Sequence, residues 1–271
     1  MSSIGIGVLT WRAPETFQRT LASHAAAHVG EIVSERVAFV QEGDPSSVSI
    51  AKKNGYRVET SKENLGILGG FEALGKALLS EFIILNENDF PIIAAADATR
   101  NELQTAYELL KNGTAKIVML RSRREPGVPF ALPPKCRKYF PPEDASVSER
   151  MLATILRTCR PGKARITRAR TIRIDDNAHI TAPNEVTKIK DGWNLTTSRW
   201  QPWTNNPIMI KRDFFLDVII AHANAANTSR RINGFKNFEV EMNCDWWREQ
   251  EFPIAQGPGL FTHGRIGYRG Y

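Results

Sequence analysis

The sequence predicts an α/β fold, a mostly parallel sheet flanked by helices, on three observations. Short apolar runs suited to buried strands alternate with helix-length segments over residues 1–120. Polar, acidic or glycine-containing turns follow each run, at the strand ends where open α/β sheets bind ligands. The chain has 271 residues and 42% apolar composition, enough for one large domain with a sizeable core.

The elements follow in order. Residues 4–9 (IGIGVL) read as a first buried strand. Pro14 then opens a helix through about residue 28, proline being favoured in a first helical turn. Residues 36–40 form a second strand that ends in Gln41-Glu42-Gly43-Asp44. Residues 46–54 suit a short helix and 56–58 a third strand. Asn64-Leu65-Gly66 leads through Gly69-Gly70 into a helix reaching about residue 80, and residues 82–85 (FIIL) form a fourth strand. Residues 99–111 are helical, stopped by Asn112-Gly113, and 116–120 are a further strand. The Pro-, Gly- and Arg-rich stretch 121–142 reads as a long loop, the kind that forms lids or binding loops. Residues 146–159 are helical, and 160–203 show no regular pattern. Residues 208–210 form a strand after the turn Thr204-Asn205-Asn206-Pro207, and 213–223 and 238–249 are helical. The glycine-rich end, 257–271, is too polar for a core element.

Charge is uneven. Net charge is +7, yet residues 116–173 hold fifteen Lys/Arg against four Asp/Glu, leaving the remainder mildly acidic. Such a segment suits an anionic partner or is simply a solvated face. Its aromatics, Phe130, Tyr139 and Phe140, are grouped near prolines rather than interleaved with the charges, which argues against specific nucleic-acid binding. Three widely spaced cysteines form neither a disulfide framework nor a zinc cluster. No apolar run approaches the ~18 residues that cross a bilayer, and the N-terminus lacks a secretory pattern. A reducing, cytoplasmic setting is the expectation, with a peripheral contact to anionic membrane as a role for the basic segment.

Several chemistries lack their motif. Gly5 and Gly7 lie inside the first strand with no glycine in the turn after it, unlike a dinucleotide fingerprint. There is no phosphate-binding G-x-x-x-x-G-K-[ST] loop and no G-x-S-x-G elbow. His24 and His28 have a zinc-compatible spacing but no intervening glutamate, so a solvated helix face is expected.

The strand ends carry the chemistry. Glu87 and Asp89, two apart after the fourth strand, can face one ligand. Paired oxygens there suit a hard divalent cation; the same residues also suit a turn with solvated acids. Thr10-Trp11-Arg12 follows the first strand, Glu42 and Asp44 the second, and Asn64-Leu65-Gly66 with Gly69-Gly70 the third. In this order, over roughly residues 3–120 and 200–265, the set resembles the family 2 glycosyltransferases and the wider nucleotide-sugar-dependent group with the GT-A fold. The match departs from the family's D-x-D, since E-N-D replaces it.

The resemblance implies a single GT-A-like domain over residues 1–271. Its nucleotide-sugar part is 1–120, and 121–271 hold the basic region and an acceptor-binding part. It implies a glycosyltransferase taking a sugar from a nucleoside-diphosphate sugar, UDP favoured, to a glycan or other hydroxyl acceptor, with Mn2+ or Mg2+. Asp89 would hold the metal, with Glu87 and His263 completing the shell or touching ribose and diphosphate. Thr10, Trp11, Arg12, Glu42, Asn64, Gly66, Gly69, Gly70, Asn88, Arg121 and Arg265 would bind the donor, with Arg123 and Arg124 as further phosphate clamps. Glu239, or else Glu241, would be the base of an inverting transfer. Trp200, Trp203, Asn205 and Asn206 would line the acceptor site. Two alternatives remain open: a sugar-nucleotidyltransferase, whose G-x-G-x-R loop Leu9-Thr10-Trp11-Arg12 lacks, and a non-catalytic polyanion-binding module using residues 116–173.

Overall fold

The computed structural model of the chain describes residues 4–127, 133–142, 144–228 and 231–266. Strands β1 (Ile4–Thr10), β2 (Glu35–Val40) and β3 (Arg57–Thr60) alternate with helices α1 (Pro14–Ala26), α2 (Val29–Ile32) and α3 (Pro45–Lys53). Helix α4 (Gly66–Ala77), β4 (Phe82–Glu87), α5 (Ala96–Lys111) and β5 (Ile117–Arg121) complete the first part. Then come α6 (Pro133–Tyr139), α7 (Val147–Cys159), α8 (Pro161–Ile174), α9 (Ala178–Thr181) and the strands β6 (Thr187–Lys190), β7 (Trp193–Thr197) and β8 (Ile208–Lys211). One helical run, α10 (Arg212–Phe214), a π-turn segment (Phe215–Ile220) and α11 (Ala221–Ala225), precedes the hairpin β9 (Arg231–Ile232) and β10 (Phe235–Lys236). The helices α12 (Phe238–Met242) and α13 (Asp245–Glu249) lead into β11 (Pro253–Phe261).

One nine-stranded sheet organises the chain, in the order β3-β2-β1-β4-β8-β5-β11-β7-β6. The β1, β2, β3 and β4 pairings are parallel, as is β5 with β11; β8 runs antiparallel between β4 and β5. Both faces are covered, as a largely parallel sheet requires. On one face Ile4, Ile6 and Val8 of β1 pack with Phe17 and Leu21 of α1 and Leu103 and Ala106 of α5. On the other, Leu9 packs with Phe71 and Leu74 of α4, Phe215, Ile219 and Trp247. Among the described residues no helix is long and apolar enough to cross a membrane.

The structure departs from the sequence expectations in four places. The stretch 160–203, which shows no regular pattern, contains α8, α9, β6 and β7. The stretch 121–142, expected as loop, includes α6; Phe130 lies outside the described residues. The helix expected over 238–249 is broken into α12 and α13 at Asn243-Cys244. The glycine-rich end contributes β11, an interior strand with Leu260 and Phe261 buried; residues 267–271 are not described. Its glycines are demanded by packing. Gly259 has φ +85°, its N–H donates to Glu102 Oε1 at 2.7 Å, and a Cβ there would run into the Arg121 backbone.

His24 also departs from expectation. It is buried, not solvated, 2.7 Å from the Tyr56 hydroxyl through Nδ1 and edge-on to Phe261. Burial, aided by the Arg36 charge, holds its pKa down at about 3. The folded chain therefore refuses a proton that the unfolded chain accepts below pH 6.5. The contribution of His24 to stability is full above that pH and is lost progressively as pH falls toward 3.

Two outcomes follow from this packing. Gly259→Ala adds a steric collision to left-handed backbone strain and is expected to cost about 2–4 kcal/mol in urea unfolding. Gly113→Ala, at φ +79° with open space around it, should cost only the strain, about 1–2 kcal/mol; equal losses would refute the collision. His24→Gln should remove about one proton's worth of slope, ~1.4 kcal/mol per pH unit, from unfolding free energy measured between about pH 4 and 5.5.

Candidate functional site

Strand order dictates where a site forms. The chain leaves β1 outward to β2 and β3, then returns to β4 on the other side of β1. Connections diverge at the carboxyl ends of β1 and β4 and leave a crevice between them. The residues there are Thr10-Trp11-Arg12 and Glu87-Asn88-Asp89.

The wall on the β1 side is braced internally. Trp11 Nε1 and Arg12 Nε both donate to Glu42 Oε2, at 2.9 and 2.6 Å. These contacts, Trp11's first, hold the Glu42 carboxyl below its usual range. Arg12 (φ 47°) and Glu42 (φ 61°) both sit in left-handed backbone, a strain that persists only where surroundings impose it. Asn64 Oδ1 accepts from the Gly66 N–H at 2.8 Å and Gln41 Oε1 from the Leu65 N–H at 2.7 Å, so the start of α4 is fixed against β2. Asn88 Nδ2 donates to Thr10 Oγ1 at 3.1 Å and ties the two strand ends together.

Glu87 and Asp89 lie at the bottom of the crevice. Burial, Asp89 and Glu239 push the Glu87 carboxyl well above the usual range, with the Arg265 guanidinium opposing them. The chain beyond β11 folds back over this point. Thr262 N–H donates to the Pro91 carbonyl, His263 N–H to Pro126 and Gly264 N–H to Asp89, at 3.0, 3.2 and 2.9 Å. This stitching places His263 Nε2 3.2 Å from Asp89 Oδ2, while Asp89 Oδ1 and His263 Nδ1 are buried without a hydrogen-bond partner.

Two cavities meet there, of about 640 and 700 Å³, and both are lined by Glu87, Asp89, Ile67, Ile232 and Asn237. The first is walled by Thr10, Trp11, Arg12, Asn64, Gly66, Asn88 and Arg265. The second is walled by His263, Arg121, Trp200, Asn205, Asn206 and Glu239. Glu239 sits in the first turn of α12, where its Oε1 accepts from the Asn205 N–H at 3.1 Å.

Most expected site residues therefore converge, and eight do not serve as expected. Glu241 is buried facing away: its carboxylate accepts from Thr228 and pairs with Arg231 at 3.6 Å. Two positions along a helix turn the side chain to another face. Gly69 and Gly70 line neither cavity; a Cβ on Gly70 would meet Leu9 at 2.8 Å, so it serves the packing of α4 on β1. Glu42 braces Trp11 and Arg12 instead of lining the first cavity. Arg121 belongs to the second cavity, where its Nη1 donates to Asn206 Oδ1 at 2.9 Å. Trp203 is mainly core, packed between Phe238 and Trp247, whereas Trp200 is half-exposed on the cavity wall. Arg123 is buried against the Gln256 carbonyl and Asp176, and Arg124 also pairs with Asp176.

Residues that the sequence reading passed over include Gln41, Ile67, Asn237 and an arginine face of α8. Arg165, Ile166, Ala169, Arg170 and Arg173 all line the second cavity. Their spacing of i, i+1, i+4, i+5 and i+8 is one face of a helix, a periodicity visible in the sequence.

A divalent cation fits the crevice in part. Among the described residues no three His, Cys, Asp or Glu side chains already form a metal-ligating group. Asp89 and His263 offer the two best-placed ligands, with Glu87 beside them. Their 3.2 Å separation is a hydrogen bond as it stands. It is also close to the roughly 3 Å between neighbouring ligands of an octahedral ion with bonds near 2.1 Å. The unpartnered Asp89 Oδ1 supplies a further acceptor.

No family model and no curated protein matches the sequence. Solved structures do match. S. aureus TarS 1-349 aligns at 11% identity and TM-score 0.50 over 97% of this chain and 60% of its own. The mannosyltransferase PcManGT from Pyrobaculum calidifontis, solved with GDP-Man and Mn2+, aligns at 11% identity and TM-score 0.51 over 99% of this chain and 58% of its own. Glucosyl-3-phosphoglycerate synthase from Mycobacterium tuberculosis, solved with Mn2+, UDP and phosphoglyceric acid, aligns at 12% identity and TM-score 0.50 over 98% and 72%. The chain thus spans about three fifths of the length of the first two. With the switch-point crevice and the antiparallel strand beside it, these likenesses identify the architecture of this chain as the GT-A-type glycosyltransferase fold.

Proposed function

We propose that the protein is a metal-dependent glycosyltransferase that moves a sugar from a nucleoside-diphosphate sugar to a hydroxyl acceptor. One observation carries this reading: two cavities meet at Glu87 and Asp89, with a further carboxylate, Glu239, on the side away from the nucleotide wall. Transfer needs just such an arrangement, a donor on one side, an acceptor on the other, and charged groups where the bond breaks. Two neighbours of the same fold were solved with Mn2+ and with UDP or GDP-Man, which supports a nucleotide-sugar donor; UDP remains the favoured nucleotide.

The residues divide the work. Trp11, braced by Glu42, presents an aromatic face for the base, and Arg12, Asn64 and Gly66 bound the nucleotide cavity. Arg265 sits where the diphosphate leaves, its guanidinium matched to phosphate oxygens. Asp89, His263 and Glu87 would hold Mn2+ or Mg2+, which neutralises charge on the departing diphosphate. Glu239 accepts the acceptor hydroxyl's proton on Oε2, since Oε1 is held by the Asn205 N–H. A base placed opposite the leaving group makes the transfer inverting. Trp200 and Asn206 bound the acceptor.

We also propose a peripheral contact with an anionic membrane through α7. Val147, Met151, Leu152 and Ile155 are 66, 62, 48 and 55% exposed, spaced along one side of that helix within the basic segment. An apolar strip flanked by cationic side chains suits a lipid interface.

Asp89→Ala should abolish transfer while leaving the thermal unfolding transition in place; a fully active variant would sink the reading. Glu239→Gln should lower kcat by about 10²–10⁴ with donor affinity retained. A thermal-shift screen of nucleoside diphosphates should show stabilisation by one of them that requires Mn2+ and vanishes in Asp89→Ala. In sedimentation assays the chain should bind vesicles of phosphatidylcholine with phosphatidylglycerol but not phosphatidylcholine alone. Met151→Glu should lose that binding, and unchanged binding would exclude α7 as the contact.

A further inference from the structure

Glycosyl transfer alone does not require a wall of arginines, yet the second cavity has one. Arg165, Arg170 and Arg173 line it from α8, Arg121 from the end of β5, Arg199 from the segment after β7 and Arg248 from α13. Two of the six are ion-paired, Arg199 with Glu251 at 2.8 Å and Arg248 with Asp245, while Arg121 feels Asp89 and Glu239 and Arg173 feels Glu239. Among the described residues, Arg165, Arg170 and Arg173 have no carboxylate within ion-pairing distance.

Arg173 is the most telling of these. It is only 7% exposed, and its guanidinium donates to Gln201 Oε1 at 3.0 Å, the Pro202 carbonyl at 3.3 Å and Thr204 Oγ1 at 3.5 Å. All three acceptors are neutral. Burial and the charges of Arg121 and Arg170 pull its pKa down to about 9, with Glu239 opposing them. Burial and the charge of Arg248 likewise lower Arg165. Gathering like charges in a partly desolvated cavity is costly to the fold, and an anion entering the cavity would relieve the cost. The cavity's own carboxylates offset it only in part: Glu239 opposes the shift at Arg173 without ion-pairing with it, and Glu87 and Asp89 lie at the junction with the first cavity.

We propose that the acceptor is anionic, carrying a phosphate or phosphodiester that Arg173, Arg170 and Arg165 bind while the hydroxyl to be glycosylated lies beside Glu239. The word acceptor rests on the glycosyl-transfer reading above; the anion site rests on the arginines alone. Guanidinium forks match phosphate oxygens bidentately, and a helix face offering several of them gives orientation as well as affinity.

The test is calorimetric titration of the full chain with inorganic phosphate and glycerol 3-phosphate, with glycerol as neutral control. The first cavity is filled beforehand with Mn2+ and the nucleoside diphosphate that stabilises the protein best. Both phosphates should bind and glycerol should not. Arg165→Gln and Arg170→Gln, at exposed positions, should each weaken phosphate binding about ten- to a hundredfold without altering the unfolding temperature. Arg173→Gln should do so more strongly, and the two exposed variants keep the test decisive if it fails to fold. A parallel arm uses phosphatidylcholine vesicles containing phosphatidic acid. A response of the soluble phosphates to the substitutions marks a free phosphate ester, and a response of the vesicles alone marks a lipid-borne one. Unchanged binding in both arms overturns the proposal even where the diphosphate binds. Phosphate binding that responds to the arginines without any metal-dependent diphosphate binding would instead remove the transfer reading and leave the anion site standing.

Discussion

Three carboxylates crowded at the end of one buried strand set the terms for the rest of this structure. Glu87 is pressed upward in pKa by its burial and by Asp89 and Glu239. Two unit charges 4 Å apart cost about 4 kcal/mol at an effective dielectric near 20, so such a cluster demands positive charge around it. The protein meets part of the demand from both sides. Arg265 comes from the C-terminal return into the first cavity and Arg121 from β5 into the second. His263 is held on Asp89 by the backbone stitching of residues 262–264. The balance left over would suit the divalent cation proposed above, and the chain's end, folded back across the middle of the sheet, brings Arg265 and His263 to the same point.

The second cavity is a consequence of strand direction. Because β8 runs antiparallel to β4, with Ile208 opposite Leu85, the residues just before β8 are delivered to the carboxyl end of β4. Asn205 and Asn206 thus stand beside Glu87 and Asp89 although more than a hundred residues of chain separate them. A parallel strand in that position would have brought its opposite end to the site. Asn205 then fixes Glu239 through its backbone N–H, and Asn206 fixes Arg121 through its side-chain oxygen. One turn before one antiparallel strand orients both the candidate base Glu239 and the Arg121 guanidinium of the second cavity.

The parts of this site legible in the sequence were those whose signal is local. An apolar run followed by Glu87-Asn88-Asp89 says strand end and paired acids within ten residues, and the crevice forms there. Glu239 and Glu241 could not be separated that way, since only the packing of α12 shows that Glu241 turns toward Thr228. Gly69 and Gly70 look like a backbone cradle in the sequence, while in space Gly70 lets α4 approach Leu9. The strand β11 was hidden for the converse reason. Its glycines lower the apolar content that marks a strand, and they are there because Gly257 packs on the Trp193 ring and Gly259 on the Arg121 backbone. The arginines of α8 did carry a helical period, but the segment around them is so polar that no apolar stripe announced a helix.

That polar helix is tied into the aromatic core by one glutamine, which gives the arginine wall its rigidity. Gln201 accepts from Arg173 Nε through Oε1 and donates to the Ala169 carbonyl through Nε2, and its own carbonyl accepts from Trp247 Nε1 at 2.8 Å. Gln256 of β11 donates to the Arg173 carbonyl at 2.8 Å from the other side. Trp247 in turn packs against Trp203 and Phe252. Arg173 is thereby held by the sheet, by α13 and by the segment before β8 at once, so its guanidinium has little freedom left to lose when it binds. A cation fixed this way recognises by position as well as by charge. Of the two tryptophans expected at the acceptor site, Trp203 thus acts largely at one remove, forming with Trp247 the backing that aims the charged wall, and Trp200 presents a half-exposed ring to the cavity.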